Sequence, residues 1–154
     1  MNDDLARRIR ALALAALARR EHSRGELKRK LSAQGFGDPA IDAVLGRLAD
    51  EGLQDDDRFA EAYIHYRVNR GYGAVKIGAE LRQRGVDKVL LATLFERLAI
   101  DWGERARVAW RKKFGHTMAA DHRERAKQAR FLEYRGFTGE QITRVVDMEY
   151  GQAP

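Results

Sequence analysis

The chain has no cysteine and only two prolines, Pro39 and Pro154. The first absence excludes disulfides and thiolate–metal sites and makes a reducing cytosol the simplest setting. The second leaves long stretches free to be helical, because an interior proline removes a backbone hydrogen bond and clashes with the preceding turn. No segment alternates polar and apolar residues at the period of a strand. No apolar run approaches the ~20 residues that span a bilayer. "RRIRALALAALARR" (Arg7 to Arg20) has the outline of a signal peptide, but Asp3 and Asp4 precede it and Arg19 and Arg20 close its apolar part early. Leu5, Ile9, Leu12 and Ala16 also share one helical face, so an amphipathic helix is the better account. A soluble, cytoplasmic protein is expected. The four histidines, His22, His65, His116 and His122, never fall at helical ligand spacing, and no metal or cofactor is expected.

What is there is mostly helix former. Alanine, leucine, arginine and glutamate fill long amphipathic runs of a 154-residue chain. A chain of this length can bury roughly 68–70% of its extended surface without staples. The net charge of +6 suits a polyanionic partner, although 34% charged residues also describes ordinary solvated helix faces. The basic excess sits towards the two ends of the chain.

Three segments align without gaps around a leucine, three spacers and a glycine: "LSAQGF" (Leu31 to Phe36), "LRQRGV" (Leu81 to Val86) and "LEYRGF" (Leu132 to Phe137). Their glycines, Gly35, Gly85 and Gly136, lie 50 and 51 residues apart. An apolar helix face follows each: Ile41, Val44, Leu45 and Leu48; Leu91, Leu94, Phe95 and Leu98; Ile142, Val145 and Val146. An amphipathic run precedes each: Leu5 to Ala18, Phe59 to Val68 and Trp102 to Lys113. A near-constant period with this pattern predicts an all-α fold of three tandem three-helix repeats, 1–52, 53–100 and 101–154, forming an elongated, curved, solenoid-like molecule. The punctuation agrees. The three glycines sit where helices end in a left-handed residue. Asp38 reads as a cap with Pro39 in the first turn, Thr138 and Gln141 as a capping box, and Asp87 and Asp101 as caps. Gly52 and Gly71 end the third and fourth helices.

Glu21, His22 and Ser23 place an acid, an imidazole and a hydroxyl side by side. Neighbours on a chain seldom converge on one reacting atom, and nothing supplies the geometry that acyl transfer needs. Ser23 with Glu26 is also a capping box for the second helix. Counting from the glycines puts Gly73 and Glu124 at the position of Ser23, and a cap tolerates glycine where a nucleophile does not. The trio is a corner, and the protein is not expected to be an enzyme. Asp55 to Asp57 reads as a helix N-terminus rather than a cation site, because carboxylates meet the positive dipole end there. "GYGAVKIG" (Gly71 to Gly78) lacks the strand and the order of a phosphate-binding loop and reads as a hinge.

The basic residues carry more information. Arg19, Arg20, Arg24, Lys28 and Lys30 flank the first corner, and Arg67, Arg70, Lys76, Arg82 and Arg84 the second. Arg111, Lys112, Lys113, Lys127 and Arg130 flank the third, with Arg123 and Arg125 nearby. Recurrence at each corner suits a charged polymer better than a small ligand. These residues are the candidate partner and DNA contacts.

"LARREHSRGELKRKL", "GLQDDDRFAEAYIHYR" and "GYGAVKIGAELRQRGV", followed late in the chain by "FLEYRGF", resemble the RecX family of recombinase regulators. The likeness runs from about Ala11 to Val146. One departure is Ala74, where the family usually has proline; either residue fits a first helical turn. The resemblance implies a non-enzymatic protein of DNA recombination, repair and the SOS response, built from three three-helix repeats. It implies binding to the RecA recombinase, free and as a filament, with restraint of its strand exchange and ATP hydrolysis. It further implies that the elongated molecule lies in the filament's helical groove, touching neighbouring RecA subunits and the phosphates of single-stranded and, secondarily, double-stranded DNA. A monomer is expected. Two other classes stay open from the residues alone. A sequence-specific helix–turn–helix reader would need a polar base-reading helix, whereas the second helices carry mostly Lys and Arg. A metal-dependent nuclease would need to cleave DNA with Mg²⁺.

Overall fold

The computed structural model describes residues 2–115 and 117–151, so His116 and residues 152–154 of the third expected repeat lie outside it. Among the described residues the chain is all-α, with nine helices in the order α1 Asp3–Arg19, α2 Arg24–Ala33, α3 Asp38–Asp50, α4 Asp56–Asn69, α5 Ala74–Gln83, α6 Lys88–Leu98, α7 Trp102–Phe114, α8 His122–Arg135 and α9 Gly139–Gly151. They form three three-helix repeats in tandem. By packing the chain divides into two units, Met1–Tyr63 with Leu81–Leu94, and Ile64–Glu80 with Phe95–Pro154.

In the first unit, Ile9, Ala13 and Ala16 of α1 and Leu27 and Leu31 of α2 meet Ile41, Val44, Leu45 and Leu48 of α3 in one buried cluster. Their spacings of three, four and seven residues are why these stretches are amphipathic helices. Each fully buried aliphatic side chain contributes about 1.5–3 kcal/mol through lost water contact. The second unit contains an analogous cluster in which Ala106, Ala109 and Trp110 of α7 pack with Leu132 of α8, Phe137, and Ile142, Val145 and Val146 of α9. Of the expected apolar face of α6, Leu91 and Leu94 are buried, whereas Phe95 and Leu98 are half-buried. Phe95 packs edge-on against Trp102 at 5.9 Å between ring centroids.

The caps follow the sequence with two corrections. Asp87, Asp101 and the Thr138–Gln141 pair cap their helices as expected. Asp38 does not cap α3: Gly37 is the N-cap, without a side-chain bond, and Asp38 stands with Pro39 in the first turn, where its charge meets the helix dipole. Nor does Glu124 occupy the position of Ser23. Asp121 caps α8 through the Glu124 N–H, and α8 is 14 residues long against 10 for α2 and α5, so counting back from the glycine slips by a turn.

The glycine that ends a second helix also seats the start of an earlier second helix. In the first unit, the Cβ position of Gly85 would lie 3.1 Å from the Gly25 Cα, at a φ of +88°. In the second unit, the Gly73 N–H donates to the Arg135 carbonyl at 2.8 Å and the Val75 N–H to the Gly136 carbonyl at 3.0 Å. The start of α5 thereby lies directly on the end of α8.

Candidate functional site

The first corner is a closed polar network. Ser23 is fully buried; its hydroxyl accepts from the Glu26 N–H at 2.9 Å and donates to the Arg84 carbonyl at 2.6 Å. The Glu26 carboxylate accepts from the Ser23 N–H at 3.1 Å, completing the capping box, and also from Arg20 at 3.2 Å and Arg84 at 2.7 Å. Buried His22 donates from Nδ1 to the Arg20 carbonyl at 3.0 Å, which fixes its tautomer. Gln54 donates to the His22 carbonyl and to Asp56, and Asp56 accepts the Arg24 N–H at 2.8 Å. The acidic run is thus divided between two caps: Asp56 serves the start of α2, while Asp55 accepts the Asp57 and Arg58 N–H groups of α4.

Burial pushes the Glu26 carboxyl up, but the bonds from Arg20, the Ser23 N–H and Arg84 pull it further down, below the ordinary carboxylate range. His22 is lowered as well, chiefly by burial. Both groups therefore bind a proton less readily folded than unfolded. Their contribution is complete above the unfolded values and is lost as pH falls through the folded ones. Nothing in this network leaves a nucleophile facing a base. Ser23→Ala removes a cap and strands the Arg84 carbonyl, and is expected to lower stability by about 2 kcal/mol. Denaturant unfolding checks this, and an unchanged midpoint would mean that neither bond matters.

The same network absorbs several of the candidate cations. Arg20 and Arg84 are held by Glu26, Arg24 donates to the Asp42 carbonyl, and Lys28 Nζ lies 3.1 Å from the Asp42 carboxylate. Arg19 and Lys30 remain exposed and line an open groove with Leu12, Leu27 and Gln34. Arg82 is exposed on α5.

The second unit arranges its cations differently. Arg67 makes a two-pronged pair with Glu80 at 2.9 and 2.8 Å and lies 3.7 Å over the Tyr72 ring. The Arg135 guanidinium stands between Tyr72 and Phe131, 4.9 and 5.1 Å from their centroids, and donates to the Arg70 carbonyl at 3.1 Å. Lys76 lies 5.4 Å from Tyr72 and 5.2 Å from Tyr134, Lys113 lies 5.8 Å from Phe131, and Arg70 lies 4.7 Å from Tyr66. Cations over ring faces are attracted by the ring quadrupole and keep their charge available. A cleft of about 280 Å³ opens here, lined by Arg70, Gly71, Ala109, Lys112, Lys113, Phe131 and Arg135, and none of these is acidic. Arg111, Lys127 and Arg130 are exposed on α7 and α8. Arg123 is exposed too, whereas Arg125 is paired with Asp147.

Sequence reasoning passed over Arg135 and the rings of Tyr66, Tyr72, Phe131 and Tyr134. The available signal was an aromatic residue beside arginine in "HYR", "ARF" and "EYR", or one residue from it in "RGY". Among the described residues no group of three potential metal ligands is gathered, and no helix is long and apolar enough to cross a membrane.

Comparison with known proteins matches three family models in order along the chain. The first three-helix domain of RecX matches residues 10–48, the second 55–93 and the third 101–146. The regulatory protein RecX of Pseudomonas fluorescens strain Pf-5 is 44% identical over 138 residues, 90% of this chain and 89% of that protein. The regulatory protein RecX of Halorhodospira halophila is 46% identical over 134 residues, 87% and 83% of the two chains. Among solved structures, the RecX of Lactobacillus salivarius superposes with a TM-score of 0.80 at 21% identity, covering 96% of this chain and 98% of that one. A second RecX crystal structure gives 0.79 at 18% identity, covering 94% and 74%. At such identities the two structures speak for the fold alone.

Proposed function

The chain belongs to the RecX family, and on that premise we propose that it is a non-enzymatic, cytoplasmic regulator that binds the RecA recombinase and its DNA filament and restrains recombination and ATP hydrolysis. The observation that carries this reading is the ordered match of all three RecX three-helix domains between residues 10 and 146. The character of the basic surface supports it. In the second unit Arg70, Lys112, Lys113 and Arg135 line a cleft whose lining has no acidic residue, which suits a polymer of phosphates better than a small neutral substrate. Cations held by Glu26 and Asp42 are assigned to the architecture of the first corner instead.

The test is a titration of RecA-driven, DNA-dependent ATP hydrolysis with this protein, with co-sedimentation on RecA–single-stranded DNA filaments alongside. A polymer contacted through several weak sites raises the effective concentration for each further contact. Inhibition is therefore expected at less than one molecule per RecA, with stronger co-sedimentation on filaments than on naked DNA. Added salt should weaken both. No inhibition at saturating protein would overturn the reading, and tight binding to one particular DNA sequence without RecA would favour a groove-reading protein instead.

A further inference from the structure

We infer that the second unit carries a single-strand binding track on which Tyr134 acts as a stacking platform for one nucleic-acid base. This deepens the DNA-contact part of the reading above and rests on it, but does not depend on RecA. Two independent features of the unit converge on it.

The first is the row itself. Because the start of α5 is hydrogen-bonded to the end of α8, side chains far apart in sequence alternate as ring and cation: Tyr134, Lys76, Tyr72, Arg135, Phe131. The inner rings, Tyr72 and Phe131, are half-buried and each lies against two or more cations. Tyr134 is different. It is 82% exposed, the most open of the large apolar side chains described, and Lys76 lies 5.2 Å from its centroid. A ring held in water beside a fixed cation gains most from a flat, electron-rich partner whose own charge lies next to it. A nucleotide has that shape, with a π-face and an attached phosphate.

The second is the helix face leading to the ring. Lys127, Arg130 and Tyr134 are spaced by three and four residues, so all lie along one side of α8, and all are exposed. Phosphates can run along Lys127 and Arg130 while a base rests on Tyr134, and the cleft bearing Arg70, Lys112 and Lys113 offers further anion contacts in the same unit. Duplex DNA keeps its bases stacked on one another, so it can use the cations but not the ring. An acidic protein segment likewise satisfies the cations and leaves Tyr134 idle. Single-stranded nucleic acid alone uses both.

The experiment compares binding of the full chain, without RecA, to fluorescent oligo-dT and to an abasic phosphodiester strand of equal length, with duplex DNA as a third probe and polyglutamate as competitor. Stacking on one aromatic ring corresponds to about a tenfold preference for oligo-dT over the abasic strand. Tyr134→Ala is expected to abolish that preference with unchanged salt dependence. Tyr134→Phe, which keeps the ring, is expected to retain it. Equal affinity of the wild type for oligo-dT and the abasic strand would overturn the proposal, as would a preference that survives in Tyr134→Ala. Duplex bound as tightly as oligo-dT, or displacement by polyglutamate at equal charge, would also overturn it. Any of these failures, with RecA inhibition intact, would remove the stacking track and leave the regulatory reading standing.

Discussion

Gly136→Ala is expected to cost about 4 kcal/mol or more, far beyond the same change at Gly35, and the difference isolates what joins α5 to α8. Both glycines end a second helix at nearly the same dihedral, φ +96° at Gly35 and +99° at Gly136. An L-residue in that region costs about 1–2 kcal/mol from its Cβ alone. At Gly35 the added methyl meets nothing within 4 Å, so the dihedral term is the whole effect. At Gly136 it would lie 2.4 Å from the Lys76 Cβ and 2.7 Å from the Lys76 nitrogen. The start of α5 must then move away, which adds about 1–3 kcal/mol of overpacking and about 1 kcal/mol for each of two backbone hydrogen bonds. Gly73 separates the two causes, because it is not among the positive-φ glycines, yet its Cβ would lie 2.5 Å from the Gly136 carbonyl oxygen. Gly73→Ala should therefore show the steric cost without the dihedral one. Gly85→Ala falls between the extremes, with a single close atom, the Gly25 Cα at 3.1 Å, and Gly85→Val adds β-branching to that strain. Denaturant midpoints for the series at constant slope measure this ordering. If Gly136→Ala and Gly35→Ala lose the same stability, the helix junction contributes nothing and only the turn matters.

These glycines show which part of the architecture is local. The pattern of leucine, three spacers and glycine fixes a helix end because the left-handed turn is a property of one residue and its neighbours, and it was readable at Gly35, Gly85 and Gly136 alike. The capping box of Ser23 and Glu26 was equally local. Where two neighbouring residues can each serve the same helix end, as Gly37 and Asp38 can, the sequence pattern does not choose between them. An added helical turn in α8 was likewise hidden, since its charged residues suit either length.

Candidate cations were legible as charges but not as partners. Lys28 and Arg84 look alike in the sequence to Lys112 and Lys113. What distinguishes them is Asp42, fourteen residues from Lys28, and Glu26, fifty-eight residues from Arg84. Those pairings follow from the fold of the first unit and not from any spacing that charge patterning can reveal. The aromatic row was invisible for the same reason: Lys76 and Tyr134 become neighbours only once α5 is seated on α8.

The core of the third repeat holds the residue whose truncation should cost most. Trp110 is 1% exposed and donates from Nε1 to Gln128 Oε1 at 2.9 Å; Gln128 is also 1% exposed, and its amide donates to the Thr117 carbonyl at 3.3 Å. Gln128 lies in "RERAKQARFLEYR", a run rich in charge whose hint of burial at that position is Leu132 four residues on, on the same helix face. Trp110→Ala removes the largest buried side chain of the cluster with Leu132 and Val145, and is expected to cost about 3–5 kcal/mol, enough to unfold the repeat near physiological temperature. Trp110→Phe and Gln128→Leu each leave one polar atom of the pair buried without its partner, at about 1–3 kcal/mol apiece beyond any packing change. Combining those two changes removes both polar atoms of the bond at once. The double variant should therefore lose less than the sum of the single losses, by about 2 kcal/mol or more, one stranding penalty being relieved for each atom. Losses that simply add would show that the indole–amide bond contributes nothing and that Gln128 is buried by packing alone. A coupling of the expected size would show that this buried bond helps hold α7 against α8, and with them Lys113 and Phe131 at one end of the row that closes on Tyr134.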